Sequence, residues 1–161
     1  MTKKIAFYLL IFLFFSCKKE INQELTAENK IIRLPPKIII DENTVIGFAC
    51  YNSGKKSEPV KKFSEILVEK KYPIILKELN SINIADKYLA TVICEKLLKK
   101  KLINLTEKEI NQIKKNKNSN ESVNTCAGCT NQEKMTLKEL FTAEKNYIAE
   151  ETEDWLNEMI K

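Results

Sequence analysis

The sequence contains no histidine, and this absence excludes several kinds of catalytic site. A Ser-His-Asp triad, an HExxH zinc site and a histidine general base all need an imidazole. Glycine is almost as scarce, because the chain has only Gly47, Gly54 and Gly128. Neither a GxxxxGK(S/T) phosphate loop nor a GxGxxG dinucleotide loop can be built from three such separated glycines. We therefore predict that the protein is not an enzyme and that it binds no cofactor and no metal.

Arginine is nearly absent as well, with Arg33 alone against 26 lysines. Lysine lacks the planar fork with which arginine reads phosphate groups in pairs of hydrogen bonds. Lysine, isoleucine and asparagine are all abundant and all have AT-rich codons, so part of the net charge of +5 reflects genome composition. We therefore expect no nucleic-acid partner. The length of 161 residues and the hydrophobic fraction of 43% are typical of one globular domain.

An unbroken apolar run near the start of the chain is too short to cross a membrane. It covers residues 5–15 and follows the basic pair Lys3 and Lys4. A bilayer core needs ~20 apolar residues, whereas a basic start followed by a short apolar run is typical of a secretory signal peptide. Ser16 and Cys17 follow this run directly. The segment FFSC resembles the lipobox of bacterial lipoproteins, in which the cysteine becomes lipidated.

The lipoprotein resemblance implies a cellular location for the whole chain. It implies that residues 1–16 are the signal peptide and that Cys17 carries the lipid. Acyl chains on Cys17 would hold the protein on the membrane through buried CH₂ groups worth ~0.8 kcal/mol each. Lys18 follows the cysteine where inner-membrane retention favours aspartate, so the resemblance implies the outer membrane of the cell envelope, at its periplasmic face or at the cell surface. An ordinary secretory signal is the alternative.

The remainder of the chain divides into a tether and a domain. Residues 17–36 are polar, show no periodicity and end in Pro35 and Pro36, which favour an extended polyproline segment. In residues 37–161, apolar side chains recur at helical spacing over most segments. We therefore predict an all-α domain of five to six antiparallel helices, arranged as a small bundle or a short HEAT-like stack.

Local signals mark where several of these helices begin. Asn83 is placed to cap a helix over residues 84–101, which is apolar almost all round and is therefore predicted to be the buried central helix. Two capping boxes follow, one from Thr106 and Glu109 and the other from Thr136 and Glu139.

Residues 44–52 are ambiguous between a helix and a strand. Their β-branched and aromatic residues favour a strand, whereas Asn43 or Thr44 could cap a helix that ends at Gly54. We assign the segment to a helix because everything that follows it is predicted to be helical.

Residues 72–99 loosely resemble a HEAT-type hairpin. The likeness consists of a short helix, a turn at Asn80 and Ser81, and a second helix that begins near Ala85 and Asp86. No second copy follows at a fixed period, so a globular bundle stays equally open. A repeat of this family implies a curved stack that binds proteins, and another envelope protein is therefore the expected partner.

Four cysteines remain after Cys17, namely Cys50, Cys94, Cys126 and Cys129. Cys94 lies in the middle of the predicted central helix, where we expect it to serve as a small core residue. The pair Cys126 and Cys129 lies in a predicted polar loop over residues 116–135, and the oxidising envelope permits disulfides there. Three interpretations stay open for the pair: a structural bridge within the pair or to Cys50, a thiol-redox motif, or half of a zinc site.

The structural bridge is the favoured interpretation. A thioredoxin-type motif needs a preceding strand and a helix N-terminus that holds the first thiol, whereas an Asn/Ser-rich segment precedes Cys126. A four-cysteine zinc site would have to draw Cys94 out of the core.

Charge is divided unevenly along the chain. Lysines outnumber acids over residues 53–117, and acids outnumber lysines over residues 133–161. We expect solvated helix faces and charge pairing between helices rather than a site. The neighbouring carboxylates near residue 150 splay around a helix and form no acid/base pair, while Tyr147 and Trp155 are expected in the core.

These observations predict a lipid-anchored cell-envelope protein whose helical domain binds another protein without catalysis. One alternative is a thiol-redox envelope protein that uses Cys126 and Cys129. The other is an immunity or inhibitor-type lipoprotein, an interpretation that depends only on size, address and the missing catalytic residues.

Overall fold

The computed structural model describes residues 41–128, 131–142 and 146–161. These residues form helices and a three-stranded sheet, so the protein is mixed α/β and the prediction of an all-α fold is wrong. A short 3₁₀ turn over Glu42–Thr44 precedes the first strand. The strands are β1 (Val45–Ile46), β2 (Ser122–Ala127) and β3 (Asn131–Thr136). The helices are α1 (Glu58–Val68), α2 (Tyr72–Glu78), α3 (Ile84–Lys99), α4 (Glu107–Lys117), α5 (Leu137–Thr142) and α6 (Tyr147–Met159).

The segment over residues 44–52 forms no α-helix, and the helical assignment is wrong. Val45 and Ile46 form β1, which pairs in parallel with β2 opposite Asn124 and Thr125. Both β1 residues are buried, so their β-branched side chains pack on a pleated surface that suits them. The turn that follows is closed by paired backbone hydrogen bonds between Cys50 and Lys55.

The predicted polar loop over residues 116–135 is wrong too, because most of it forms a hairpin. β2 pairs with β3 in antiparallel register, from Ser122 opposite Thr136 to Ala127 opposite Asn131. Polar residues can occupy these strands because the ladder satisfies their backbone groups. Val123 is the apolar residue of β2 that packs in the main core. Thr125, two residues further along β2, is also buried but is polar.

Several helix starts are confirmed. The side chain of Asn83 accepts a hydrogen bond from the backbone N–H of Ala85, 3.0 Å away, at the start of α3. The hydroxyl of Thr106 and the carboxylate of Glu109 complete a reciprocal capping box at the start of α4. Thr136 and Glu139 make the same bonds at the start of α5. These local devices depend only on residues one turn apart, which explains why the sequence predicts them.

α3 is the central helix of the core, as its apolar sequence predicts. Tyr88, Leu89, Ile93 and Leu97 are all almost fully buried. The helix contacts α1, α2, α4 and β2. The segment that resembles a HEAT hairpin therefore consists of α2 and α3, and its second helix packs into a core that includes the sheet.

The structure does not describe residues 1–40. The predicted signal peptide, the predicted lipidation of Cys17 and the predicted tether at residues 17–36 therefore lie outside the described residues. Among the helices of the described part, none is both long and apolar enough to cross a membrane.

Candidate functional site

A disulfide joins Cys50 to Cys126 and ties the turn after β1 to strand β2. The two Cα atoms are 5.4 Å apart, the residues are separated by 76 positions, and both side chains are buried. Closing a loop of this length stabilises a folded domain by about 4 kcal/mol in the chain-entropy treatment. The structure thus has a structural bridge to Cys50, one of the arrangements that the sequence leaves open.

Gly47 is what allows the backbone to approach this disulfide. A Cβ atom at Gly47 would overlap both sulfur atoms and would lie 2.6 Å from the carbonyl oxygen of Cys126. The Gly47 N–H donates to the Ser57 hydroxyl at 3.2 Å, and the Ser57 N–H donates to the Gly47 carbonyl at 2.9 Å. Gly47 therefore connects the disulfide to the residue that precedes α1. Sequence reasoning missed this role because the contact is made by residues far apart in the chain.

The other cysteines occupy different environments. Cys94 is a free thiol that is completely buried in α3, as predicted, and burial raises its pKa to about 12. Cys129 lies outside the described residues. Cys126 lies in a strand and is already bonded to Cys50, whereas a reactive CxxC thiol needs a helix N-terminus and access to solvent. This geometry offers no support for the thiol-redox interpretation.

A polar cavity of about 260 Å³ lies beside the disulfide. Lys61 pairs with Glu58 at its edge, and both side chains are well exposed. Exposed ion pairs contribute little to stability. The cavity is lined by Glu42, Val45, Cys50, Tyr51, Ser53, Lys55, Lys56, Ser57, Glu58, Lys61 and Cys126.

A second concave surface, which we call the α3–α4 groove, has a more apolar lining and a volume of about 400 Å³. It lies between α3, α4 and α5. Its apolar side chains are Leu98, Leu105, Ile110, Ile113 and Phe141, and its other lining residues are Glu95, Lys114, Lys117, Asn118 and Thr142.

The α3–α4 groove exposes large apolar side chains to solvent. Leu98 is 41% exposed and Ile110 is 37% exposed. Contiguous exposed apolar surface with a polar rim is typical of interaction sites. The groove is therefore a candidate interaction surface among the described residues.

Lysines lie in the lining of the groove and near it. Lys117 donates a hydrogen bond to Glu95 at 2.7 Å, and its Nζ lies 5.5 Å from the centre of the Phe141 ring. Five further lysines lie in the last turns of α3 and α4 or directly after α3, and none of them forms an ion pair with another described residue. They are Lys99, Lys100, Lys101, Lys114 and Lys115.

An acidic residue of the C-terminal helix α6 pairs with a lysine of α3. Glu153 accepts a hydrogen bond from Lys96, which also donates to Asn157 at 2.7 Å. This contact is the charge pairing between helices that the sequence predicts. Trp155 is buried in the core as expected, and Tyr147 is half-buried with its hydroxyl 2.8 Å from that of Thr125.

A charged cluster lies between α1, α2 and α3. Lys62 donates to Asp86 at 2.8 Å and to Glu78 at 2.9 Å. Burial raises the pKa of Asp86, although its hydrogen bond with Lys62 opposes the shift, and one oxygen of the Asp86 carboxylate has no partner among the described residues. The described residues contain no group of cysteine, aspartate and glutamate side chains that could hold a metal ion.

Comparison with protein-family models, with curated proteins and with solved structures finds no match for this chain.

Proposed function

We propose that the chain is a lipid-anchored protein of the cell envelope, held on the outer membrane through Cys17, whose domain binds another envelope protein through the α3–α4 groove. The proposal includes no catalytic step, cofactor, metal or nucleic acid. It combines a cellular location, inferred from the first residues of the chain, with a concave surface that lies in the described domain.

The observation that carries the proposal is the buried Cys50–Cys126 disulfide. Disulfides form and persist in oxidising compartments and are rare where thiols are kept reduced. A bridge inside the folded domain therefore supports export, independently of the lipobox-like segment that ends at Cys17.

The α3–α4 groove supports binding of a protein. It combines an apolar floor with a polar rim, and Leu98 and Ile110 are open to solvent. Large apolar side chains in a concave surface are the kind of residues from which interaction sites are built.

Lipid labelling of the full chain in a bacterial envelope tests the anchor. Cells that express the chain are fed an alkyne-tagged fatty acid, and the protein is then examined by gel fluorescence and membrane fractionation. The wild-type chain is expected to carry the label and to sediment with the outer membrane. Cys17→Ala is expected to lose the label completely, because this substitution removes the only sulfur in the lipobox-like segment.

Cys94→Ser is the matched control, since it removes a cysteine from the buried centre of α3. This variant should keep the label. A wild-type chain that takes up no fatty acid, or a Cys17→Ala variant that keeps the label, would contradict the anchor.

A further inference from the structure

We propose that the α3–α4 groove receives an acidic amphipathic helix of a partner protein. This inference rests on the interaction role proposed above and specifies the chemistry of the partner. It depends on the apolar floor of the groove and on the lysines beside it.

The floor suits the apolar face of a helix. Leu98 on α3, Ile110 on α4 and Phe141 on α5 line one continuous depression. A helix docks in such a groove by inserting side chains spaced three and four residues apart. Since Leu98 and Ile110 are more than a third exposed, the groove is open to a partner without unfolding of the core.

Two of the lysines without ion pairs among the described residues, Lys99 and Lys114, lie at one level of the groove. α4 runs back along α3, because Asn116 bonds to Thr91 and Lys117 bonds to Glu95. Lys99 lies one turn beyond Glu95 along α3, and Lys114 lies about one turn before Lys117 along α4. Because the two helices run in opposite directions, both lysines lie on the same side of the Glu95–Lys117 pair, at about the same level of the groove.

This charge arrangement selects the sign of the partner. Glu95 lies on the groove, but Lys117 already neutralises it. The lysines without ion pairs among the described residues attract carboxylates and repel a basic helix. Such rim charges control specificity more than affinity. The expected partner segment therefore has two turns of apolar stripe, with acidic residues where it passes Lys99 and Lys114.

Two synthetic peptides test the proposal on the full chain in mild detergent. Both have leucines at helical positions i, i+3, i+4 and i+7, and they differ only in having glutamates or lysines beside this apolar stripe. Binding is measured by fluorescence anisotropy of the labelled peptide. The acidic peptide is expected to bind at least about tenfold more tightly than the basic one, a difference of ~1.4 kcal/mol.

Charge-reversing variants of the chain test whether the preference for the acidic peptide comes from the lysines beside the groove. Lys99→Glu combined with Lys114→Glu should reverse the order of the two peptides. Lys77→Glu combined with Lys134→Glu changes the net charge equally on α2 and β3 and should leave the order unchanged.

Two aspartate substitutions separate the groove floor from other exposed apolar positions. Ile110→Asp should abolish binding of the acidic peptide. Ile82→Asp, at a side chain that is 98% exposed in the link between α2 and α3, should not affect it. An unchanged helical circular-dichroism signal in each variant shows that the fold is retained.

Equal binding of both peptides, failure of both to bind, or binding that survives Ile110→Asp would overturn the proposal. Preferential binding of anionic phosphatidylglycerol vesicles, lost in the Lys99→Glu and Lys114→Glu variant, would overturn it in favour of a membrane surface. Failure of the lipid anchor would appear only in the Cys17 labelling, so the two failures are distinguishable.

Discussion

The side-chain amide of Asn116 donates a hydrogen bond to the hydroxyl of Thr91 at 3.0 Å, in a fully buried position between α4 and α3. The same amide also donates to the carbonyl oxygen of Leu79 at 3.0 Å, just after α2. The side-chain amide of Gln112 donates to the side-chain oxygen Oδ1 of Asn116 at 2.8 Å, so the acceptor of the Asn116 side chain also has a partner. One side chain therefore connects three consecutive helices, and it holds one wall of the α3–α4 groove in place.

Asn116→Ala is expected to lower the free energy of unfolding by about 1–3 kcal/mol, because it leaves the buried carbonyl of Leu79 without a donor. Urea unfolding followed by circular dichroism measures the change. Asn111→Ala, at an exposed position on the same helix, is the matched control and should stay within about 0.5 kcal/mol of wild type. Equal effects of the two substitutions would contradict the buried network.

Removal of the Cys50–Cys126 disulfide is expected to cost about 4 kcal/mol of stability, because the unfolded chain regains the entropy of a long loop. Urea unfolding of the Cys50→Ala and Cys126→Ala double variant measures this loss. Reducing the wild-type protein should produce a similar loss, whereas the double variant should not respond to reductant. A double variant as stable as the oxidised wild type would show that the bridge does not stabilise the domain.

Gly47→Ala is expected to destabilise the domain by more than about 2 kcal/mol, because the added methyl group overlaps the disulfide sulfurs and overpacked sites strain the backbone. A double-mutant cycle with the Cys50→Ala and Cys126→Ala variant separates this overlap from other effects. The cost of Gly47→Ala should be smaller when the sulfurs are absent. A cost that is the same in both backgrounds would locate the strain elsewhere.

Asp86→Asn is expected to change the pH dependence of stability. Burial raises the pKa of Asp86, so the folded state holds this proton more tightly than the unfolded chain does. The resulting stabilisation is present below the ordinary pKa of 3.8 and is lost as the pH rises through the folded value. Asp86→Asn removes that loss, so the variant should gain stability relative to wild type between about pH 3 and pH 6.

Glu121→Gln supplies a comparison of opposite sign. The hydrogen bond from Lys87 lowers the pKa of Glu121, so its stabilisation is present above the ordinary pKa of 4.5 and is lost as the pH falls. Relative to wild type, Glu121→Gln should therefore lose stability over the same rise in pH. Urea unfolding at both pH values measures the two differences, and a shift of Asp86→Asn in the same direction as Glu121→Gln would contradict the assignment.

Local sequence patterns predicted the features that depend on neighbouring residues. The cap at Asn83 and the capping box of Thr106 and Glu109 need only one helical turn to form. The burial of Cys94 and Trp155 follows from apolar spacing along one helix. These predictions are confirmed because the physical contacts lie within the same short segment that the pattern covers.

The sheet could not be predicted in the same way. β1 contains Val45 and Ile46 alone, and its ladder partner β2 begins at Ser122. A two-residue strand has too short a pattern to be told from a helix. β3 is mostly polar, and its pairing with β2 is stabilised by backbone hydrogen bonds, which leave no trace in side-chain type.

By itself the sequence determined that the chain lacks histidine chemistry and glycine-rich phosphate loops, that α3 is buried, and where several helices begin. Composition and spacing along one segment are sufficient for those properties. Only the tertiary structure decided that Cys50 pairs with Cys126, that Gly47 lies against their sulfurs, and that Leu98, Ile110 and Phe141 line one groove. Each of these joins residues far apart in the chain, and their positions in space are set by the packing of whole helices and strands rather than by local preference.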